Sequence, residues 1–228
     1  MTSSKVPVAI VVAGLILSGA VYLSMGGGWP SFSLGSGTRG DPSLVRPVGA
    51  EDHILGNPAA PVTIVTYCDF ESEYCKGFSG TMNQLVATAG AGGEVAWVYR
   101  EFPLTDTHEH ALAHARAAEC AAEVAGNDAF WRFADALFAA WPAEPGEYGE
   151  VAERAGIPGD AFAACYASAA ERVDARITAD RENALAVGAI GTPYSLLLAR
   201  GKEPMVLDGA YPYDALRQIV DEALGNAP

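Results

Sequence analysis

The stretch that decides the fold is VTIVTYCDFESEYCKGF, residues 62–78. Its first half completes an apolar, β-branched segment at 60–68, which predicts a strand. Ser72 is a residue type favoured at helix N-caps, and the helix that it opens is expected to end at Gly90. A second apolar segment at 94–102 predicts another strand. Strand, helix and strand at this spacing predict a βαβ unit.

The pattern then changes to Ala-rich segments with helical spacing, which predict a helical insertion at about 106–188. After the insertion, residues 193–199 and 204–210 predict a hairpin of two strands. Residues 211–224 place their apolar side chains on one face and predict a closing amphipathic helix. The order βαβ, helical insertion, ββα indicates an α/β domain interrupted by a helical subdomain.

The N-terminal segment 1–25 contains an uncharged apolar run at 6–25. A helix of that length covers a hydrocarbon core of about 30 Å. The run therefore predicts either a transmembrane anchor or a signal peptide cut after the small residues 18–20. We expect a membrane-anchored protein whose domain faces the periplasm or the exterior, with secretion after cleavage as the alternative. The Gly-, Ser- and Pro-rich residues 26–50 predict a flexible linker before a domain at 51–225.

Charge and histidine content exclude two classes of partner. The net charge of −14 argues against nucleic acid, which selects clustered Lys and Arg. His108, His110 and His114 lie close together in the sequence, but a zinc site would need a further ligand. We interpret these histidines as capping or solvated side chains, and we expect no metal and no cofactor.

Four stretches in collinear order over 50–225 resemble the DsbA-like branch of the thioredoxin fold: 62–78, GNDAFWRFADALF at 126–138, GTPYSLLL at 191–198 and GAYPYDALRQIVDEAL at 209–224. The resemblance implies a thioredoxin-like fold and a thiol–disulfide oxidoreductase. It also implies that the partners are exported polypeptides that are unfolded or contain cysteines, together with a membrane redox partner.

The main departure from this family is Ser72. Family members usually carry Cys-x-x-Cys where this chain has Ser72 and Cys75. The first thiol of that motif forms a mixed disulfide, and the second resolves it. Because a serine cannot be oxidised, the usual cycle is closed to this pair, so the site is expected to work as a monothiol or to be impaired. We predict that Ser72 is an N-cap; a further interpretation is that it stands where the natural protein has cysteine.

Cys75 has three possible states. It is an inert buried residue, a reactive monothiol, or one half of a disulfide with Cys68 at the end of the preceding strand. A strand end and the first turn of the next helix usually lie farther apart than a disulfide allows. The sequence therefore favours a sluggish, unpaired Cys75.

The family's cis-proline loop matches Thr192–Pro193. With Tyr74, these residues are candidates for binding an extended client segment by strand addition. Such binding needs no cysteine, so a redox-silent peptide-binding chaperone or adaptor is the alternative function.

Cys120 and Cys165 lie in two helices of the insertion. Cysteines in similar contexts occur in the family, and an oxidising compartment favours a structural disulfide. Such a bridge would contribute about 4 kcal/mol by constraining the unfolded chain. Four cysteines allow three complete pairings, and the sequence does not choose among them.

Overall fold

The computed structural model describes residues 40–225. The anchor or signal segment expected at 1–25, and the first part of the linker, lie outside this range. Within residues 40–225, no helix combines the length and the apolar character that a membrane span requires.

The domain is built on one five-stranded mixed sheet with the order β1-β3-β2-β4-β5. Only β2 and β3 are parallel, and the other neighbours are antiparallel. The strands are β1 (His53–Gly56), β2 (Val62–Cys68), β3 (Val95–Glu101), β4 (Tyr194–Ala199) and β5 (Met205–Asp208). The predicted α/β architecture is confirmed. The sequence analysis missed β1, a four-residue edge strand that owes its conformation to pairing with β3.

The helices also follow the predicted order. They are α1 (Glu73–Thr88), α2 (Ala111–Ala125), α3 (Asn127–Ala139), α4 (Tyr148–Arg154), α5 (Gly159–Ala167), α6 (Ala169–Arg172), α7 (Asp174–Val187) and α8 (Tyr213–Leu224). Helix α1 connects the two parallel strands, α2 to α7 form the insertion, and α8 closes the chain.

The central strand β2 is buried on both faces. Ile64 and Cys68 contact the larger apolar cluster, which includes α1 and the insertion helices. Val65 and Tyr67 contact a smaller cluster with Val187 of α7. A strand covered on both sides can be apolar at nearly every position, which explains why this segment was recognisable from sequence.

Residues 40–50 pack on the domain, although the linker was expected to reach residue 50. The backbone N–H of Asp41 donates to the carbonyl of Ala186 at 2.8 Å, and that of Arg46 donates to the Asn183 side chain at 3.0 Å. At Gly40 a Cβ atom would lie 2.2 Å from the Ala186 oxygen, so only glycine fits. The domain therefore begins near Gly40, because tertiary hydrogen bonds order a segment whose composition is typical of a linker.

A buried arginine holds this segment to the sheet. The Arg100 side chain is 0 % exposed, and its Nε donates to Asp52 Oδ1 at 2.8 Å. Its other nitrogens donate to the hydroxyl of Tyr67 at 3.2 Å and to the carbonyl of Arg46 at 2.9 Å. Buried charges need such partners to offset their desolvation.

Candidate redox site

Helix α1 begins at the turn where the family motif was expected. Ser72 is its N-cap, with an extended backbone, and its hydroxyl accepts the backbone N–H of Cys75 at 3.4 Å. Glu73 lies in the first turn, where a negative charge is favourable. Cys75 is the third residue of the helix. Its sulfur therefore lies close to the positive end of the helix dipole, which favours a thiolate.

The structure pairs Cys75 with Cys68, which is the alternative that the sequence analysis disfavoured. The Cα atoms are 5.9 Å apart, within the range that a disulfide requires. Cys68 is 2 % exposed and Cys75 is 1 % exposed. Cys75 is therefore neither an inert thiol nor a free monothiol in this state; it is one half of a buried disulfide that joins the end of β2 to the first turn of α1.

Asp69 explains why the two cysteines approach each other. Its buried carboxylate accepts the backbone N–H groups of Glu71 and Leu104, each at 2.8 Å, and lies 2.8 Å from Nδ1 of His108. These contacts tie the tight loop after β2 to the loop after β3. The backbone N–H of Asp69 itself donates to Cys75 Sγ at 3.3 Å.

The sequence analysis missed this role of Asp69 and the pairing of His108 with it. The only available signal was a carboxylate directly after a buried strand. The hydrogen bonds that give this carboxylate its function come from residues about 35 positions later in the chain.

The Thr192–Pro193 loop lies beside Cys68. The peptide bond between Thr192 and Pro193 is cis. Strand β4 pairs with β2 so that Tyr194 faces Tyr67, and the next step of this register brings Pro193 opposite Cys68. The hydroxyl of Thr192 is buried without a hydrogen-bond partner among the described residues. The disulfide and the proline loop thus share one end of the sheet.

The candidate contact residues differ in exposure. Tyr74, in the first turn of α1, is 63 % exposed, whereas Pro193 is buried. Ile190, two residues before Thr192, is 91 % exposed. Tyr74 and Ile190 are therefore exposed apolar side chains that lie close in sequence to the two halves of the site.

A buried carboxyl group accompanies the disulfide. Glu101 is the register partner of Cys68 on the parallel strand β3, and it is 1 % exposed. Its Oε1 has no hydrogen-bond partner among the described residues. Burial raises the pKa of Glu101 well above its ordinary value, and the neighbouring carboxylates of Glu119, Asp180 and Asp69 raise it further.

The three histidines do not form a shared site. His108 contacts Asp69, and Nε2 of His110 lies 3.1 Å from Glu144. His114 is buried with Nε2 at 2.9 Å from the carbonyl of Ala143, and its burial lowers its pKa. Among residues 40–225, no group of three or more His, Cys, Asp or Glu side chains is arranged to hold a metal ion.

The structure also contains a disulfide between Cys120 of α2 and Cys165 of α5. Their Cα atoms are 5.7 Å apart, and the bridge spans 45 positions of sequence. Both residues are buried, at 0 % and 5 % exposure. This bridge joins two insertion helices.

Comparisons with known proteins agree with this fold. A family model described as thioredoxin matches residues 49–222. The crystal structure of Pseudomonas aeruginosa DsbA2 is 26 % identical, with a TM-score of 0.62, over 78 % of this chain and 96 % of that one. The thiol-disulfide exchange protein alpha-DsbA2 from Wolbachia pipientis is 20 % identical, with a TM-score of 0.65, over 75 % of this chain and 86 % of that one.

Curated relatives match the same region as part of longer proteins. The Na(+)/H(+) antiporter NhaA 3 of Salinispora tropica is 34 % identical over 186 residues, which are 81 % of this chain and 26 % of that protein. The chain thus spans about a quarter of the length of that relative. The match to the family model and the agreement with solved DsbA structures lead to one conclusion: the chain belongs to the thioredoxin family and has the DsbA-like form of its fold.

Proposed function

We propose that this protein is an extracytoplasmic thiol–disulfide oxidoreductase that acts on exported polypeptides, and that Cys68 and Cys75 are its exchanging pair. The observation that carries the proposal is the disulfide itself, at the start of α1 and beside the Thr192–Pro193 loop. Ser72 removes the first thiol of the usual motif, and Cys68 supplies a replacement from the other side of Cys75. The site therefore keeps two thiols, which exchange with a client requires.

The compartment and the partners belong to the same proposal. The uncharged run at 6–25 supports a domain anchored at the membrane and facing the periplasm or the exterior, or secreted after cleavage. Suitable clients are unfolded, cysteine-containing polypeptides that bind beside Tyr74 and Thr192. After a client has been oxidised, the pair would be reoxidised by a membrane partner that carries a disulfide of its own.

The decisive experiment mixes the oxidised protein with an equimolar reduced, unfolded client and measures disulfides formed in the client. We expect up to one client disulfide per protein molecule. The variant Cys68→Ala/Cys75→Ala should form none, whereas Ser72→Ala should behave like the wild type because Ser72 has only a capping role. A double variant that oxidises the client as well as the wild type would exclude the proposed pair.

A second function is favoured by the burial of both sulfur atoms, which are closed to solvent in this state. In that case the domain binds extended segments at the proline loop without exchanging disulfides. The same variant separates the two functions. If Cys68→Ala/Cys75→Ala suppresses aggregation of an unfolded client and neither it nor the wild type oxidises the client, the protein is a redox-silent chaperone.

A further inference from the structure

The two sulfur atoms of the buried disulfide have different surroundings. Cys75 Sγ accepts the backbone N–H of Asp69 at 3.3 Å and belongs to the first turn of a 16-residue helix. Both features stabilise negative charge on that sulfur. For Cys68 Sγ, no N–H or O–H donor is found within the described part of the chain, and its residue ends a strand outside the helix.

This difference determines how the disulfide opens. A thiolate attacks one sulfur, and the electron pair of the broken bond leaves on the other. The better-stabilised thiolate leaves faster, so attack is directed at its partner. In this site the better-stabilised thiolate is that of Cys75.

The position of Cys68 is suited to the same direction of attack. Continued by one residue beyond Tyr67 and Tyr194, the β2–β4 register places Pro193 opposite Cys68. A client segment that pairs with the backbone at Thr192 would therefore bring its thiol to the Cys68 side of the disulfide. Both cysteines pack in the same apolar cluster, but the Cys75 backbone is held inside the first turn of α1, where its N–H donates to the hydroxyl of Ser72.

We propose that Cys68 is the sulfur that clients attack and that Cys75 is the leaving thiolate, an inference that rests on the proposed function. A client thiolate forms a bond with Cys68 Sγ, the Cys68–Cys75 bond breaks, and its electron pair goes to Cys75. A second client thiolate then attacks the client sulfur of this mixed disulfide. Cys68 leaves as a thiolate, and the pair takes up the two protons that the client thiols released, so the client gains one disulfide and the pair is reduced to two thiols.

This assignment keeps the chain order of the usual motif but moves the attacked sulfur out of the helix. In Cys-x-x-Cys the residue nearer the start of the helix is attacked, and the later one resolves. Here Ser72 occupies the position of the first cysteine but has no thiol, and the attacked sulfur is that of Cys68, at the end of the strand that precedes the turn.

The test uses the full oxidised chain with glutathione thiol as the probe. After brief exposure in native buffer, the reaction is quenched with acid, and peptides are mapped by mass. We expect the glutathione adduct on Cys68 to exceed that on Cys75 by about tenfold. The Cys120–Cys165 bridge serves as an internal control and should carry no adduct. An adduct found chiefly on Cys75 would overturn the assignment.

A second measurement titrates each thiolate by its ultraviolet absorbance. Cys68→Ser leaves the Cys75 thiol, and Cys75→Ser leaves the Cys68 thiol. We expect the Cys75 thiol to ionise at a pH at least about one unit lower, which is a tenfold difference in acidity. The opposite order would contradict the inference.

The two proposals fail in different ways. If the native protein forms no adduct at either sulfur, although both bonds open with glutathione in denaturant, the exchange function fails. The inference rests on that function and fails with it, whatever the order of the thiolate titrations. An adduct on Cys75 keeps the exchange function and removes only the assignment of roles.

Discussion

Cys68 and Glu101 are direct neighbours across the two parallel strands, and both are buried where β2 and β3 end. Paired residues of adjacent strands place their side chains on the same face of the sheet. The disulfide and a carboxyl group with a raised pKa therefore share one buried environment. Such a carboxyl group is neutral over much of the range in which ordinary glutamates are charged.

The first prediction concerns Glu101→Gln. The folded state raises the pKa of Glu101, so the native protein keeps a proton that the unfolded chain releases above its ordinary value of 4.5. Stability should consequently fall as pH rises from that value toward the raised one, by at most about 1.4 kcal/mol per pH unit. The neutral glutamine cannot titrate, so the variant should lose less stability between about pH 5 and pH 8. Urea unfolding across this range provides the measurement.

The matched control for Glu101 is Glu150→Gln, at an exposed position of α4. Its stability should follow the wild-type pH dependence. If the free energies of unfolding of Glu101→Gln and the wild type changed in parallel with pH, the carboxyl group of Glu101 would be ionised in the folded state.

The two disulfides should differ in their contributions to stability. In the chain-entropy model, the bridge over 45 positions contributes about 4 kcal/mol, and the bridge over 7 contributes about 2 kcal/mol. Cys120→Ala/Cys165→Ala should therefore reduce the free energy of unfolding more than Cys68→Ala/Cys75→Ala. Guanidinium unfolding of both variants tests the order. Client oxidation should be lost only in Cys68→Ala/Cys75→Ala. A larger loss of stability in Cys68→Ala/Cys75→Ala than in Cys120→Ala/Cys165→Ala would contradict the chain-entropy model.

A third prediction moves the redox pair to the position usual in the family. In Cys68→Ser/Ser72→Cys, the new thiol at position 72 caps α1, where the helix dipole lowers its pKa. We expect this double variant to oxidise a reduced client about tenfold faster than the wild type, because the sulfur at position 72 is a better leaving group when the second client thiolate resolves the mixed disulfide. The stopped-flow rate of client oxidation is the readout, and Cys68→Ser alone is the inactive control. A folded double variant no faster than that control would count against the exchange site.

The fourth prediction concerns the buried ion pair of Arg100 and Asp52. Arg100→Met leaves the Asp52 carboxylate buried, with its remaining contacts to the N–H of Gly49 at 2.9 Å and to Arg46 at 3.6 Å. We expect a loss of about 3–5 kcal/mol in the free energy of unfolding. The double variant Arg100→Met/Asp52→Asn should recover part of this loss, since the unpaired charge is removed. Calorimetry on both variants measures the loss of unfolding free energy. Equal losses in the single and the double variant would show that Arg100 acts through packing alone.

Much of the fold could be predicted because its determinants are local. The apolar, β-branched run of β2 is buried on both faces, and Ser72 caps α1 through a bond to a residue three positions later. The Gly126 and Gly188 positions end helices with positive φ angles, which glycine adopts readily. By contrast, β1 has no local pattern, and residues 40–50 have the composition of a linker but are ordered by partners on α7.

By itself, the sequence determined the βαβ unit, the helical insertion and the closing ββα segment, the helix start at Ser72 and the absence of a second thiol in the usual motif, because each depends on residues within a few positions of one another. Only the tertiary structure decided that Cys68 pairs with Cys75. The carboxylate of Asp69 holds the loop between them by accepting the backbone N–H of Leu104 and contacting Nδ1 of His108, and these partners lie on another segment of the chain. A disulfide depends on the distance between two sulfur atoms in space, and sequence spacing does not contain that distance.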